Sequence, residues 1–374
     1  MIPVTKAYLP DKQKYKDYVD RIFESGWLTN KSGLLQELES RLALYLGVKH
    51  LICVANGTLA LQVAYKALNL KGEAITTPFS FPATASSLEW EGVKPIFCDI
   101  HPYSFNLDIH KIEALITQKT SAIVPVHVYG NPCDVESIKD IAEQHKLKVV
   151  YDAAHAFGVS FTDMKGQSRS VLNYGDISTL SFHATKLFHT VEGGAIITDS
   201  DELAEKIRLL INFGIFGESA VALVGTNAKM NEFEAAMGLC ILDDIDKITE
   251  QRKAVFHAYK HGLSGLVDFQ RWHPRSENNH AYAPILLKSE QHLLKVQSRL
   301  KEVGIAPRRY FYPSLDTLSC FQNTMDNVRQ EVSESYCHVS SNIANRILCL
   351  PIYPSLEHRQ VDKIIHVVKT AISS

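Results

Sequence analysis

Lys186 sits in the stretch SFHATKLFHTVEGGAIITD, Ser181 to Asp199, between a segment carrying a hydroxyl and a histidine and a glycine pair that runs into an apolar strand. A lysine becomes a covalent amine when burial or a nearby positive group holds it near neutral and an electrophilic carbonyl is within reach. Other positions supply what an aromatic carbonyl compound would need around such an amine. Asp152 ends the apolar run LKVVYD and can hold the proton of a cationic ring nitrogen. Gly57 and Thr58 open the helical pattern TLALQVAYKAL, whose N-terminal amides and dipole suit an anion. Ser181 can add a hydroxyl to the same anion, and Phe81, in the turn after ITTPF, can lie flat against a ring.

An acid for a pyridine nitrogen, an anion site for a phosphate and a flat partner for a ring are together the demands of pyridoxal phosphate. Singly, each residue has a plainer reading: Asp152 as a turn or cap, the Gly-Thr pair as a helix start, Phe81 as core and Lys186 as a solvated lysine. Their joint occurrence, in this order and on one sheet edge, favours the cofactor site.

The elements that must position them alternate. From Leu51 onward HLICVAN, EAITTPF, VKPIFCDI, SAIVPVHVYG and LKVVYDAA read as strands, and TLALQVAYKALNL, SFPATASSLEWEG, DIHKIEALIT and DVESIKDIAEQHK read as helices. Such alternation implies an α/β fold with βα crossovers and a mainly parallel sheet covered by helices. Ligands of such sheets gather outside the carboxyl ends of the strands, where Asn56 to Thr58, the PFSF turn, Asp152 to His155 and Ser181 to Lys186 all fall. After Glu232, EFEAAMGLCILDDIDKITEQRKAVFHAYKHGL reads as one long helix linking to a smaller α+β domain built from AYAPILL, QHLLKVQSRLKEVG and HRQVDKIIHVVKTAI. The expected division is a large domain over residues 1–250 and a small one over 251–374.

The 374 residues can bury a large core without disulfide or metal staples. A hydrophobic fraction of 45%, a charged fraction of 21% and a net charge of -2 exclude a disordered chain and argue against a nucleic-acid binder. The N-terminal stretch has no basic segment followed by an apolar one, and no run is long enough to span a bilayer, so a cytoplasmic protein with no membrane partner is expected. The seven cysteines lie far apart without a Cys-x-x-Cys pair and read as buried thiols, not metal ligands.

Across nearly the whole chain, SGWLTN, ANGTLALQ, TTPFSFPATASS, PVHVYGNPCD, YDAAHAFG, SFHATKLFHTVEGGAI, GTNAKMNEFEAAMG, YFYPSL and LPIYPSL resemble the DegT/DnrJ/EryC1/StrS sugar aminotransferases. The resemblance implies a fold-type I pyridoxal-phosphate enzyme, with a seven-stranded, mainly parallel mixed sheet in the large domain. It makes Lys186 the Schiff-base lysine, Asp152 the pyridinium partner, Phe81 the stacking ring, and Ser181, Gly57 and Thr58 phosphate ligands. His155 stands where many members carry glutamine beside the cofactor's 3-hydroxyl. Asn227 matches an asparagine that reaches the phosphate from the neighbouring subunit, which implies a homodimer with shared active sites. LTNKSGLLQELE carries one residue more than the family's LTNGP turn, near the expected sugar nucleotide.

The same resemblance implies a two-stage transamination with L-glutamate as donor, pyridoxamine phosphate as the half-way form and a dTDP-ketosugar as acceptor. ANGTLALQ, PVHVYGNPCDVE and YDAAHAFG resemble the branch that aminates C4 of dTDP-4-keto-6-deoxyglucose, an amino sugar destined for cell-surface polysaccharide. C3 amination of a dTDP-3-keto sugar is the alternative, although IPVTKAYLPD stands where C3-aminating relatives commonly begin with a PFLDL-type segment. Gluco or galacto product, and dTDP or UDP, stay open at this level. His183 is a candidate sugar contact, and Arg308 and Arg309 are candidates for the diphosphate or the donor. A dehydratase branch of this fold replaces the lysine with histidine, and a non-catalytic regulatory relative would have lost cofactor residues; Lys186 and its companions are all present.

Overall fold

The computed structural model describes residues 1–218, 220–322 and 337–373; part of the expected small domain therefore lies outside the described residues. Its central sheet contains β1 (His50–Val54), β2 (Glu73–Thr76), β3 (Lys94–Phe97), β4 (Thr120–Val124), β5 (Lys148–Asp152), β6 (Ile177–Ser181) and β7 (Gly194–Thr198). The spatial order is β1-β7-β6-β5-β4-β2-β3; β7 is antiparallel to both its neighbours and every other pairing is parallel. This is the seven-stranded mixed sheet that the resemblance implies.

The principal helices are α1 (Gly33–Leu46), α2 (Gly57–Ala67), α3 (Ala83–Trp90), α4 (Val135–His145), α5 (Asp201–Leu210), α6 (Glu232–Asp243), α7 (Ile245–Gly262), α8 (Glu290–Glu302), α9 (His338–Arg346) and α10 (His358–Ser373). Of these, α1, α4 and α6 cover one face of the sheet and α2 and α5 the other, which is why its strands read as continuous apolar runs. In β1, Leu51 and Cys53 join a buried cluster with Leu38 and Leu42 of α1 and Ile138 of α4. Ile52 and Val54 point the other way, to Leu61 and Ala64 of α2 and Ile207 of α5. The two-residue side-chain period of a strand thus feeds two cores at once.

Ser32, at the start of α1, makes no side-chain cap. The buried Glu232 carboxylate supplies one, accepting from the Leu34 amide at 2.9 Å and the Leu35 amide at 3.2 Å. Two otherwise unpaired donors are satisfied by a residue at the head of another helix, which locks the N-terminal segment onto the large domain.

Two expectations change. The long helix after Glu232 breaks at Asp244, where φ is -104° and ψ is 4°, so that α6 and α7 are separate. Aspartate is a poor residue for a helix interior, and here Asp243 pairs with Lys14 and Arg41 while Asp244 accepts from the Tyr8 hydroxyl at 3.0 Å. Among the cysteines, Cys320 is exposed and the other six are buried. Its neighbour Phe321 takes the inward position, edge-on to Phe97 at 5.8 Å, which turns Cys320 to solvent.

β8 (Asp268–Phe269), β9 (Pro284–Leu286) and β10 (Ile347–Cys349) form a small antiparallel sheet in that order. It packs with α8, α10 and the later part of α7: Val255 and Tyr259 belong to this core, whereas Ile245 and Ile248 belong to the large one. One helix therefore spans both cores. Among the described residues, no helix is long and apolar enough to cross a membrane.

Candidate active site

β6 delivers Ser181 at its last position, and the chain returns toward β7 through the loop that carries Lys186. Backbone bonds fix this loop: the Phe182 amide donates to the Gly193 carbonyl at 2.8 Å, Ala184 to Val191 at 2.8 Å and Thr190 to Phe182 at 2.9 Å. Phe182, Leu187 and Phe188 are buried, and Phe188 stacks on Phe157 at 4.7 Å. With its apolar members turned inward, the loop leaves Ser181, His183 and Lys186 to line a cavity of about 300 Å³. Gly57, Thr58, Phe81, Asp152 and His155 line the same cavity, so strand ends and helix starts distant in sequence converge at the sheet's carboxyl edge.

Burial lowers the Lys186 amine to about 8, against Asp152 and Tyr310, which raise it. The neutral fraction therefore rises from roughly a tenth at pH 7 to about half at pH 8, far above that of an ordinary lysine. Its Nζ donates to the Tyr282 hydroxyl at 3.3 Å.

Asp152 is buried at the end of β5, and its Oδ2 accepts from the Thr84 hydroxyl at 2.7 Å while Oδ1 accepts from the Ala154 amide at 3.2 Å. Burial raises its carboxyl above the ordinary aspartate range, an effect opposed by those two donors and by Lys186. Among the described residues it forms no ion pair. A buried carboxylate so incompletely compensated is matched to a cationic ring N–H.

His155 accepts a hydrogen bond from the Tyr129 amide at Nδ1, 3.2 Å away, which leaves the proton on Nε2. Burial, followed by the Lys186 charge, holds its pKa well below the usual histidine value. The neutral ring is thus a hydrogen-bond donor through Nε2, like the side-chain amide of the glutamine common at this position in the resembling family. Phe81 is 58% exposed and faces the cavity, leaving ring surface for a flat partner.

At the other side of the cavity, the Asn56 side chain caps α2 by accepting from the Leu59 amide at 2.9 Å. The Gly57 and Thr58 amides, with no carbonyl one turn back, are left for an anion. Gly57 also has no room for a side chain: a Cβ there would lie 2.9 Å from the Ser181 Cβ and 3.2 Å from its Oγ. Gly57→Ala should force the helix start away from Ser181, an overpacking cost of about 1–3 kcal/mol, and weaken pyridoxamine phosphate binding roughly 5- to 150-fold. Titration of the variant by fluorescence checks this; native affinity would show that the close approach is irrelevant to the phosphate.

Three candidate residues do not line this cavity, one of them Asn227, which the resemblance assigns to the neighbouring subunit's site. Asn227 is exposed, bridges to Asn212 and does not line this cavity. Arg308 is exposed, with its backbone paired to Cys349. The Arg309 guanidinium pairs with Glu290 at 3.0 Å and donates to the Ala344 and Asn345 carbonyls at 3.3 Å, so it caps the C-terminal end of α9. His183 does reach the cavity, with Nε2 at 3.5 Å from Glu192 and Nδ1 at 2.7 Å from the Thr185 hydroxyl. The sequence reading gave no role to Thr84, Tyr282, Tyr310 or Phe311, although Thr84 lies in TTPFSFPATASS and Tyr310 and Phe311 in YFYPSL.

Residues 10–369 match the DegT/DnrJ/EryC1/StrS aminotransferase family. The chain belongs to that family. It is a transaminase whose cofactor is pyridoxal phosphate, and the cavity fits that group: an anion cradle and a buried, under-compensated carboxylate flank a near-neutral lysine. The chain is 41% identical over 372 residues to the dTDP-4-amino-4,6-dideoxy-D-glucose transaminase of Shigella dysenteriae, covering 98% of each chain. To the protein of the same name from Escherichia coli it is 38% identical over 367 residues, covering 97% of this chain and 96% of the other. Among solved structures, DesI in the presence of its TDP-sugar product superposes with a TM-score of 0.90 at 32% identity, covering 100% of this chain and 93% of that one.

Proposed function

We propose that the chain moves an amino group from L-glutamate to the C4 keto group of dTDP-4-keto-6-deoxy-D-glucose, giving dTDP-4-amino-4,6-dideoxy-D-glucose, and that Lys186 and Asp152 carry the chemistry. The observation that carries the reading is one cavity holding an amine lowered to about 8, a buried carboxylate that forms no ion pair among the described residues and a hydroxyl beside a helix N-terminus. The acceptor sugar rests on the two transaminases matched over nearly the full chain.

Pyridoxal phosphate supplies the electron sink for the pair left when a proton departs the donor's α-carbon. The protein supplies the rest. The Gly57 and Thr58 amides and the Ser181 hydroxyl hold the phosphate. Asp152, fixed by Thr84 and Ala154, keeps the ring nitrogen protonated. His155 offers its Nε2 proton to the 3-hydroxyl oxygen, and Phe81 covers the ring. Lys186, once its amine is free, takes the proton from glutamate's α-carbon and in the second half returns one to C4 of the sugar; a tethered base of this kind contributes typically ~10²–10⁴-fold.

A second copy of the chain completes the site in this reading. Asn227 follows a hairpin whose Phe213, Ile215, Phe216, Val221 and Val224 side chains are exposed, a patch that dimer formation would cover and that would bring Asn227 to the partner's phosphate.

The test is incubation with pyridoxal phosphate, L-glutamate and dTDP-4-keto-6-deoxy-D-glucose, followed by NMR of the sugar. Amine at C4 in the gluco configuration, with one 2-oxoglutarate per sugar, is expected. Amine at C3, or no amine, contradicts the proposed acceptor.

A further inference from the structure

The Lys186 amine is held by a residue far away in sequence. Its Nζ donates to the Tyr282 hydroxyl at 3.3 Å and lies 6.0 Å from the centre of that ring. The phenol is itself confined: its ring meets His155 edge-on at 4.8 Å, Tyr129 at 5.3 Å and Tyr310 edge-on at 6.0 Å. The backbone leading into it is gripped by Arg252 of α7, which is buried and donates through Nε to the His280 carbonyl at 3.1 Å and through Nη2 to the Ala281 carbonyl at 2.6 Å. Among the described residues Arg252 forms no ion pair. A buried cation that directs its donors to two successive carbonyls, and not to a carboxylate, fixes the strand entry immediately before Tyr282.

A continuous chain of contacts therefore runs from α7 through Arg252 and Tyr282 to the reacting nitrogen. We propose that Tyr282 is a positioning residue for Lys186: its hydroxyl, hydrogen-bonded to Nζ and itself locked by the rings around it, holds the amine in a rotamer that faces the cavity and the carbon it attacks. The inference rests on the reading of Lys186 as the covalent residue. In that step the amine nitrogen adds to the cofactor's aldehyde carbon, C=N replaces C=O, and the oxygen leaves as water with the two amine protons. An amine free to rotate among its rotamers spends most of its time misdirected, and misplacements on the ångström scale cost up to about 10²-fold in rate.

The experiment compares native and Tyr282→Phe apoprotein. The rate of covalent capture of pyridoxal phosphate is followed by stopped-flow absorbance, with the adduct fixed by borohydride and weighed. Pyridoxamine phosphate, which has no aldehyde and cannot condense, reports the fold and the non-covalent cradle through its Kd. We expect capture to slow by about 10- to 10²-fold while the pyridoxamine phosphate Kd stays within about twofold. Capture at the native rate would overturn the proposal. So would an equal loss of pyridoxamine phosphate binding, which would make Tyr282 a wall of the cavity. If the native protein itself forms no adduct, the failure lies with the reading of Lys186, and this inference falls with it.

Discussion

Lys186→Ala should lose turnover toward the upper end of the ~10²–10⁴-fold range that a positioned acid–base group supplies, and should lose the covalent hold on its cofactor completely. Its environment makes the two losses inseparable. The amine that condenses with the carbonyl is the amine that afterwards moves the proton at the α-carbon, and the described part of the cavity offers no second lysine. Borohydride followed by denaturing mass spectrometry should add the mass of the reduced cofactor to the native chain and not to the variant. Pyridoxamine phosphate should still bind the variant, because its phosphate and ring meet Gly57, Thr58, Ser181 and Asp152 and not the lysine. The pH dependence has a definite sign. Burial lowers the amine to about 8, so below that value the reactive neutral form falls about tenfold per pH unit and capture by the native apoprotein slows in step; above it, capture levels off. An adduct on Lys186→Ala, or turnover near native, would remove Lys186 from the mechanism.

What could be read beforehand was what is local. Asp152, Ser181 and Gly57 each stand at the end of an apolar run or the start of a helical pattern, so the rule that parallel sheets bind ligands at their carboxyl edge was enough to put them together. Lys186 was legible for a related reason: the inward residues of its loop are phenylalanines and a leucine, and the polar residues between them have one side left. What could not be read depends on distant partners. Tyr282 lies 96 residues beyond Lys186, and nothing in AYAPILL distinguishes a phenol aimed at an amine from one filling a core. That Arg309 would cap the end of α9 and pair with Glu290 was likewise out of reach, because those partners lie 19 to 36 residues away in sequence. The Asp244 break had a signal, the paired aspartates in ILDDID, outweighed by the apolar periodicity on either side.

Asp152→Asn separates holding the cofactor from activating it. Asparagine has nearly the same shape, and its carbonyl oxygen can still accept from the Thr84 hydroxyl, the shorter of the two bonds at 2.7 Å. The amide facing Ala154 then meets a donor where a carboxylate oxygen accepted at 3.2 Å, a modest local cost. The larger change is electrostatic. A neutral amide cannot stabilise a cationic ring nitrogen in a buried site, so the ring loses its proton and with it much of its ability to take up the electron pair from the α-carbon. Removing one such preorganised group costs about 10²–10³-fold in kcat. Because the same ring electronics serve both stages, single-turnover rates with L-glutamate and with the ketosugar should fall by similar factors, while the pyridoxamine phosphate Kd changes by less than about tenfold. A residue that merely bound one substrate would slow one stage and spare the other. Near-normal rates in both stages would instead show that the buried carboxylate serves the architecture of the sheet edge, with its raised pKa a by-product of burial.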